Sequence, residues 1–208
     1  MTTTTDRLAA LTDALTAEGW TYVREVYTEP QWRSRIHELQ CPEGRLRLDA
    51  SLFPDGHVIA RLSAEAIRTG PAPRPAWMTD LHEVPLAAAL AAVSAANGPE
   101  SEPDEDAHLA QAFGQNIRPR LLEALLITEG WDLTTDPEED RDGRIIEVEW
   151  ESADGHRRVL WEAEDRFDSG GWTVTRWHTD VHGASRSAVT QVSQYTPVAV
   201  IAALAMSA

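Results

Sequence analysis

The feature that most constrains this chain is an internal repeat. The motif L-x3-L-x2-E-G-W begins at Leu11 and recurs at Leu122, 111 residues later. An Ala-rich segment that opens with Pro85 is matched by one that opens with Pro197, 112 residues later. Self-similarity at a fixed spacing is typical of one supersecondary unit written twice, so the sequence predicts a tandem duplication.

Matching residues between these ends support the duplication. Gly44 corresponds to Gly155 at a spacing of 111 residues, and the segment DGHVIARL aligns with GGWTVTRW, which places Arg61 opposite Arg176. Chance similarity between two Ala-rich helices would not preserve the E-G-W motif, the turn glycine and the helix-opening proline in one order.

Each copy is predicted to begin and end with a helix. Residues 8–17 and 120–128 have apolar side chains at helical spacing and stop just before a Gly-Trp pair, where glycine is a good C-cap. A second helix covers residues 86–96 in the first copy and opens with Pro197 in the second. The last helix has almost no polar face, so we expect it to be buried against the sheets, its counterpart or another subunit.

Between these helices, alternating polar and apolar residues predict antiparallel strands, with turn residues between them. The inward side chains expected for residues 45–53 and 145–151 are Leu46, Leu48, Ala50 and Leu52 in the first copy and Ile146, Val148 and Trp150 in the second. The fold class is therefore α+β, a tandem pseudo-symmetric repeat in which each copy has a helix, an antiparallel sheet of three to five strands and a helix.

The sequence also predicts how the chain divides. The first αβ copy covers residues 6–97, an acidic linker with the start of a helix covers 98–116, and the second αβ copy covers 117–208. The stretch NGPESEPDEDAH holds five acids and two prolines without periodicity, which is typical of a flexible, self-repelling linker. An acidic segment that itself binds a partner is the alternative.

The copies resemble an actinomycete family, the domain of unknown function number three hundred and seventeen, which is often found in tandem. The stretches that carry the resemblance are Gly19-Trp20, Cys41-Pro42-Glu43-Gly44-Arg45, Trp77 and Val84-Pro85, and then Gly130-Trp131, Ala153-Asp154-Gly155-His156 and Thr196-Pro197. Cys41 and Val84 depart from the Ser and Thr of the family pattern, and no proline precedes Asp154. The resemblance implies the fold but no catalytic residues. In element order the copies are also similar to secretion chaperones, which are acidic binding modules.

Composition narrows the class of partner. The chain has 34 acids against 18 arginines and no lysine, for a formal charge of −16. Such a surface repels duplex nucleic acid and anionic lipid. The single Cys41 cannot form an internal disulfide, residues 1–7 lack the pattern of a signal peptide, and no apolar run is long enough to span a membrane. We therefore expect a cytoplasmic protein.

Motifs of enzymatic chemistry are missing from the sequence. It contains no GxSxG, GxxxxGK or GxGxxG motif, and the lack of lysine excludes Schiff-base chemistry. Cys41, aligned with Trp150, is interpreted as a small buried side chain. His178, Asp180 and His182 alternate along one predicted strand and are weak metal candidates, but an extended strand spreads them over about 13 Å. We expect no enzyme and no cofactor.

Carboxylates and tryptophans supply the candidate contact residues. Glu147, Glu149 and Glu151 are expected on one outer sheet face, with Glu162 and Glu164 on the following strand. Among the tryptophans, Trp150, Trp161 and Trp177 are expected to face inward. Trp172 falls on the outer side beside Arg176, where it could stack on a partner.

Charge differs between the copies. Residues 1–99 hold 9 Arg and 12 acids, whereas residues 100–208 hold 9 Arg and 22 acids. If the charge served solubility alone, both copies would carry a similar charge. One explanation for the difference is an acidic contact face in the second copy. The other is drift of exposed residues without a role in binding. The leading hypothesis is a non-enzymatic module that binds a protein with a basic surface through Glu147, Glu149, Glu151, Glu162, Glu164, Trp172 and Arg176.

Two other classes of function remain open at this point. One is a single-strand nucleic-acid binder that uses Trp172 with Arg45, Arg47 and Arg61, although three arginines are few. The other is a carboxylate- or metal-dependent hydrolase built on Glu147, Glu149, Glu162 and His178. The partner class does not exclude a second copy of the chain, so a homodimer is also compatible with the sequence.

Overall fold

The computed structural model describes residues 4–27, 35–53, 58–64, 76–81, 84–98, 117–163, 170–179 and 182–207. Within these ranges the fold is α+β, with four helices and one large antiparallel sheet. The helices are α1 (Thr4–Ala17), α2 (Leu86–Asn97), α3 (Ile117–Thr128) and α4 (Val198–Met206). The first-half strands are β1 (Thr21–Tyr27), β2 (Arg35–Gln40), β3 (Leu46–Leu52), β4 (Val58–Ala64) and β5 (Trp77–Asp80). The second-half strands are β6 (Asp132–Leu133), β7 (Glu138–Glu139), β8 (Ile145–Glu151), β9 (Arg157–Glu162), β10 (Gly171–Thr179) and β11 (Ser185–Val192).

The strands form a single sheet in the order β1-β2-β3-β4-β5-β11-β10-β9-β8-β6, with β7 beside β8. Strands β5 and β11 meet in the middle, where Thr79 lies opposite Val192. The Ser193 amide donates to the Met78 carbonyl at 2.9 Å, and the Met78 amide donates to Ser193 Oγ at 3.0 Å. The two halves of the chain therefore share one continuous hydrogen-bonded sheet.

The alternation of buried and exposed side chains along the strands shows which face of the sheet is covered. In β3, Leu46, Leu48 and Ala50 are buried while Arg47 and Asp49 between them are partly exposed, which confirms the predicted strand and its phase. We call the face that holds these buried residues the inner face and the opposite one the outer face. Helix α1 packs over β4, α3 over β8, and α4 over β9 and β10.

The final helix is buried as its composition predicts. Val200, Ile201 and Leu204 are fully buried, and α4 packs against its counterpart α2 as well as against the sheet. An apolar stripe this wide needs neighbours on more than one side, and the sheet and α2 supply them within the chain. Of the three surroundings predicted for this helix, the structure shows the first two.

The turns before β3 and β9 are built alike. The Gly44 amide donates to the Cys41 carbonyl at 2.9 Å, and the Gly155 amide donates to the Ser152 carbonyl at 2.8 Å. Cys41 Sγ accepts from the Leu46 amide at 3.2 Å, where Ser152 Oγ accepts from the Arg157 amide at 2.9 Å. Cys41 is buried, as predicted, but its positional equivalent is Ser152, so the predicted alignment with Trp150 is wrong.

Strand β10 has the opposite phase from the predicted one. Trp172 lies opposite the buried Trp161 and Val192 and is itself only 1% exposed, so the predicted outward orientation is wrong. Trp177, expected inside, is partly exposed on the outer face. The strand begins at Gly171, whose φ is +145° and where a Cβ would lie 2.7 Å from the Val192 carbonyl oxygen. The alternation of Trp172 and Val174 with Thr173 and Thr175 agrees with the observed phase, whereas the alignment of Arg176 with the outward Arg61 implies the opposite one.

The observed orientation of β10 also shows that the predicted alignment of Arg61 with Arg176 is wrong. Arg61 lies opposite Asp49 and Asp80 on the outer face, whereas Arg176 lies opposite Arg157 on the inner face. The predicted equivalence of Arg61 and Arg176 is therefore wrong. The pairing of a strand with its neighbours, rather than local similarity of sequence, determines which side chains correspond.

The turn before β9 makes a testable contribution to stability. The Ser152 hydroxyl donates to Asp154 at 2.6 Å and the His156 amide donates at 3.0 Å, and these bonds lower the pKa of the Asp154 carboxyl below its ordinary value of 3.8. A carboxyl whose pKa is lowered on folding stabilises the protein above its unfolded pKa and loses this effect as pH falls through the folded one. Asp154→Asn should lower the free energy of unfolding at pH 7 by a few tenths of a kcal/mol.

Chemical denaturation at several pH values measures this effect. The difference between Asp154→Asn and the unsubstituted chain should shrink steadily below the ordinary pKa of 3.8. Glu43 holds the corresponding position in the first turn and is exposed, so Glu43→Gln is the matched control and should leave stability unchanged. Equal effects of the two substitutions, or an Asp154→Asn effect that does not vary with pH, would contradict this account.

Candidate functional site

Three glutamates form a row across neighbouring strands of the second half. Glu138 in β7 lies opposite Glu147 in β8, and Glu147 lies opposite Glu162 in β9. All three side chains are exposed, and within the described part of the chain none of them forms an ion pair. We call Glu138, Glu147 and Glu162 the acidic row.

The acidic row works against folding. Adjacent strands are about 4.8 Å apart, and like charges directly opposite one another in a sheet are destabilising. Water and salt weaken this repulsion at an exposed site but do not remove it. The second half therefore maintains three uncompensated negative charges side by side on an open face.

The two glutamates next to the acidic row are neutralised. Glu151 Oε2 accepts from Arg158 Nε at 2.5 Å, and Glu149 Oε1 lies 3.6 Å from Arg158 Nη1. Glu149 also accepts from Thr134 Oγ1 at 2.9 Å. The hydrogen bond that Arg158 donates to Glu151 raises the pKa of the Arg158 guanidinium, which lies 5.1 Å from the centre of the Trp177 ring. Glu149 and Glu151 are thus held within the sheet surface.

The structure brings together only part of the predicted contact set. Glu147 and Glu162 are exposed and adjacent, Glu149 and Glu151 are paired with Arg158, and Glu164 lies outside the described residues. Sequence reasoning missed Glu138, although the run Pro137-Glu138-Glu139-Asp140 signals an acidic segment. Its place in the row depends on a register shift between Glu138 and Glu139, which alternation alone does not give.

Trp172 and Arg176 are not available as contact residues. The Trp172 and Trp161 rings meet with centroids 4.5 Å apart in the core. Arg176 is 8% exposed, and its Nη2 donates to the Leu204 carbonyl at the end of α4. Burial and the neighbouring Arg157 guanidinium lower the pKa of Arg176 to about 10, so it stays protonated at neutral pH.

Arg157 completes this arrangement at the end of α4. Its Nη1 donates to the Met206 carbonyl at 2.8 Å and the Ala205 carbonyl at 3.3 Å, and its guanidinium lies 5.6 Å from the centre of the Trp131 ring. Cations at a helix C-terminus meet the unpaired carbonyls and the negative end of the helix dipole. The two arginines therefore fix the final helix to β9 and β10.

The arginines considered for nucleic acid are already bonded. Arg47 contacts Glu38 at 2.5 Å and Asp49 at 2.9 Å, and Arg61 contacts Asp80 at 3.0 Å. The Arg45 guanidinium donates to the Asn97 carbonyl at 2.5 Å. Because Arg47 and Arg61 are paired with carboxylates and Trp172 is buried, this set does not form a cationic stacking surface.

The metal candidates do not form a set. His178 at the end of β10 and His182 in the following turn are both exposed, and Asp180 lies outside the described residues. Among the residues that the structure describes, no group of three or more His, Cys, Asp or Glu is close enough to hold a metal ion. The hydrolase candidates Glu147, Glu149 and Glu162 lie on the open outer face of the sheet, and Glu149 lies beside Arg158.

No family model, curated protein or solved structure matches the chain. None of the described helices combines the length and the apolar character that crossing a membrane requires.

The repulsion within the acidic row can be measured directly. Glu147→Gln removes the central charge and should raise the free energy of unfolding at pH 7 and low salt by about 0.3–1 kcal/mol. Glu151→Gln is the matched control on the same strand face, and it should leave stability unchanged or lower it because it removes the partner of Arg158.

Urea denaturation of both variants at low and high ionic strength provides the test. Salt screens exposed charges, so the gain from Glu147→Gln should shrink as salt is added. A Glu147→Gln variant that is less stable than the unsubstituted chain at low salt would show that the row does not repel itself.

Proposed function

We propose that the chain is a non-enzymatic binding module made of two αβ copies, which binds a protein with a basic surface through the acidic row of the second copy. We also propose that the protein acts in the cytoplasm and that its partner binds the open outer face of the sheet. The observation that carries the proposal is the acidic row itself, because three adjacent unpaired carboxylates lower stability and are explained by a use outside the fold.

The order of the elements supports the duplication. Counted from either end of the sheet toward its centre, each half presents its strands in chain order, with β7 as an addition in the second half. The Trp20 amide donates to the Leu15 carbonyl at 3.0 Å, and the Trp131 amide donates to the Leu126 carbonyl at 3.1 Å. Together with the matching turns at Cys41 and Ser152, these bonds recur at the spacing of the sequence repeat.

We propose the domain division that the sequence predicts, and the pairing of elements supports it. The first copy is residues 6–97 and the second is residues 117–208, joined by the acidic stretch 98–116, of which only Gly98 is among the described residues. We further propose that the copies belong to the actinomycete domain family number three hundred and seventeen, on the strength of the Gly-Trp, turn and Thr-Pro motifs.

Charge supports the choice of partner. The second half of the sequence has 22 acids against 9 arginines, and the acidic row places three of these acids on one exposed surface. Complementary potential accelerates encounter and rejects partners of the same sign. A protein surface rich in arginine or lysine is the partner that this potential favours.

Capture experiments with charge-matched variants test the proposal. The variant Glu138→Gln/Glu147→Gln/Glu162→Gln neutralises the row, and the control Asp13→Asn/Glu18→Gln/Glu129→Gln removes three exposed charges elsewhere. At low salt, the unsubstituted chain and the control should retain the same basic protein from a lysate of the source organism, whereas the row variant should lose it. Equal capture by both variants, or no salt-sensitive capture by any of them, would contradict the proposal.

A titration with labelled single-stranded oligonucleotide distinguishes the other class of partner. Because Arg47 and Arg61 are paired with carboxylates, we expect no binding at micromolar protein and low ionic strength. Saturable binding under these conditions would favour the nucleic-acid alternative over the protein partner.

A further inference from the structure

The hairpin of β10 and β11 projects beyond the strands on either side of it. β10 pairs with β11 as far as Thr179 and Ser185, but it pairs with β9 only as far as Arg176. On its other side, β11 pairs with β5 only at Val192, because β5 is four residues long. Residues 185–189 of β11 therefore have no strand beside them among the described residues, and we call them the open edge.

The ladder determines where the backbone groups of the open edge point. The Ser193 amide donates to the Met78 carbonyl, so this residue turns its backbone groups toward β5 and away from β10. In an antiparallel ladder the amide and carbonyl of one residue point to the same side, and the side alternates along the strand. Ser185, Ser187 and Val189 therefore direct their groups to the open edge, where they bond to no residue that the structure describes.

The two ends of the sheet lack such a regular edge. β6 and β7 are two residues long, β7 has a register shift, and β1 has another between Tyr22 and Arg24. Short strands, irregular register and proline are the usual means by which proteins prevent pairing at an edge. The open edge has the sequence SRSAV without proline, and its pairing with β10 has no register shift. Its outward-facing residues are exposed, so the backbone beside them is accessible.

Charge around the hairpin differs from that of the rest of the chain. Residues 170–208 contain two arginines and one acid, Asp180, in a chain of formal charge −16. Arg186 lies in the middle of the open edge. Like charges directly opposite one another in a sheet are destabilising, so a strand that pairs here should carry an acidic or neutral residue opposite Arg186. A β-branched residue suits the position opposite Val189, which is 38% exposed.

We propose that the open edge of β11 is a strand-addition site for an extended segment of another protein, with an acidic or neutral residue opposite Arg186. Main-chain hydrogen bonds to Ser185, Ser187 and Val189 supply the affinity, and the alternate side chains supply the selectivity. The site favours a segment of the opposite charge character from the partner of the acidic row. It is therefore independent of the proposed function, and either can fail without the other.

Hydrogen exchange of the full chain with the peptide acetyl-VVTET-amide tests the site. In antiparallel register its first residue lies opposite Val189 and its glutamate lies opposite Arg186. Without peptide, the amides of Ser187 and Val189 should exchange fast, while those of Ala188 and Thr190, which point to β10, exchange slowly. About 5 mM peptide should slow Ser187 and Val189 and leave the other two unchanged. The peptide acetyl-VVTKT-amide should bind about two- to fivefold more weakly.

Two substitutions at one position separate backbone pairing from side-chain contact. Ser187→Pro removes an N–H that points to the open edge and none that pairs with β10, and proline is tolerated at such edge positions. It should weaken binding of the glutamate peptide about tenfold or more, with slow exchange of Thr190 as the sign that the hairpin is intact. Ser187→Ala keeps the N–H and should bind as the unsubstituted chain does.

Several outcomes would overturn the proposal. Slow exchange of Ser187 and Val189 without peptide would show that the edge is already paired, and an increase of that protection with protein concentration would identify a second copy as the occupant. Peptide that fails to slow these two amides, or that slows all amides of β11 equally, would exclude strand addition. Unchanged binding to Ser187→Pro, or tighter binding of the lysine peptide, would contradict the assigned register and charge. The exchange pattern of the unsubstituted chain decides the matter even if Ser187→Pro does not fold.

Discussion

The pairing between β5 and β11 determines which surfaces the rest of the chain can bury. Because Thr79 lies opposite Val192 there, two sets of strands become one sheet, and the inner faces of both sets point to the same side. Both closing helices then meet above that shared face, where α2 packs against α4. The final helix, with hardly a polar side chain, is covered within the chain for this reason.

Helices cover the inner face of the sheet, so the charged side chains of the strands lie on the outer face. The two halves differ in how these charges are paired. In the first half, Arg47 pairs with Glu38 and Asp49 and Arg61 pairs with Asp80, so these charges of the outer face are compensated within the sheet. In the second half, Arg158 satisfies Glu149 and Glu151 and leaves the acidic row unmatched. The halves also differ on the inner face, where the second half pairs Trp161 with Trp172 and the first half pairs Ala50 with Ala60. The two halves of the chain thus have similar helices and strands but different surfaces.

The sequence predicted those features that depend on local periodicity. Helix ends at glycine and the alternation of β3 follow from spacing within one element, and both are found. The side of Trp172 was predicted wrongly because Arg176 was aligned with the outward Arg61, although Trp172 and Val174 alternate with two threonines as inward residues do. Glu138 was missed because a register shift places it in the row. The ion pairs Arg47–Glu38 and Arg61–Asp80 join different strands, and the pattern of a single strand does not show which residues will lie opposite it.

The continuous sheet joins the two halves of the chain and gives each half its inner and outer surface, and backbone NMR of the full chain tests it most directly. The account predicts nuclear Overhauser contacts between backbone protons of Thr79 and Val192, together with slow hydrogen exchange of the Ser193 amide, which donates to the Met78 carbonyl. Absence of these contacts with rapid exchange at Ser193, while the strands within each half stay protected, would show two separate sheets and contradict the account.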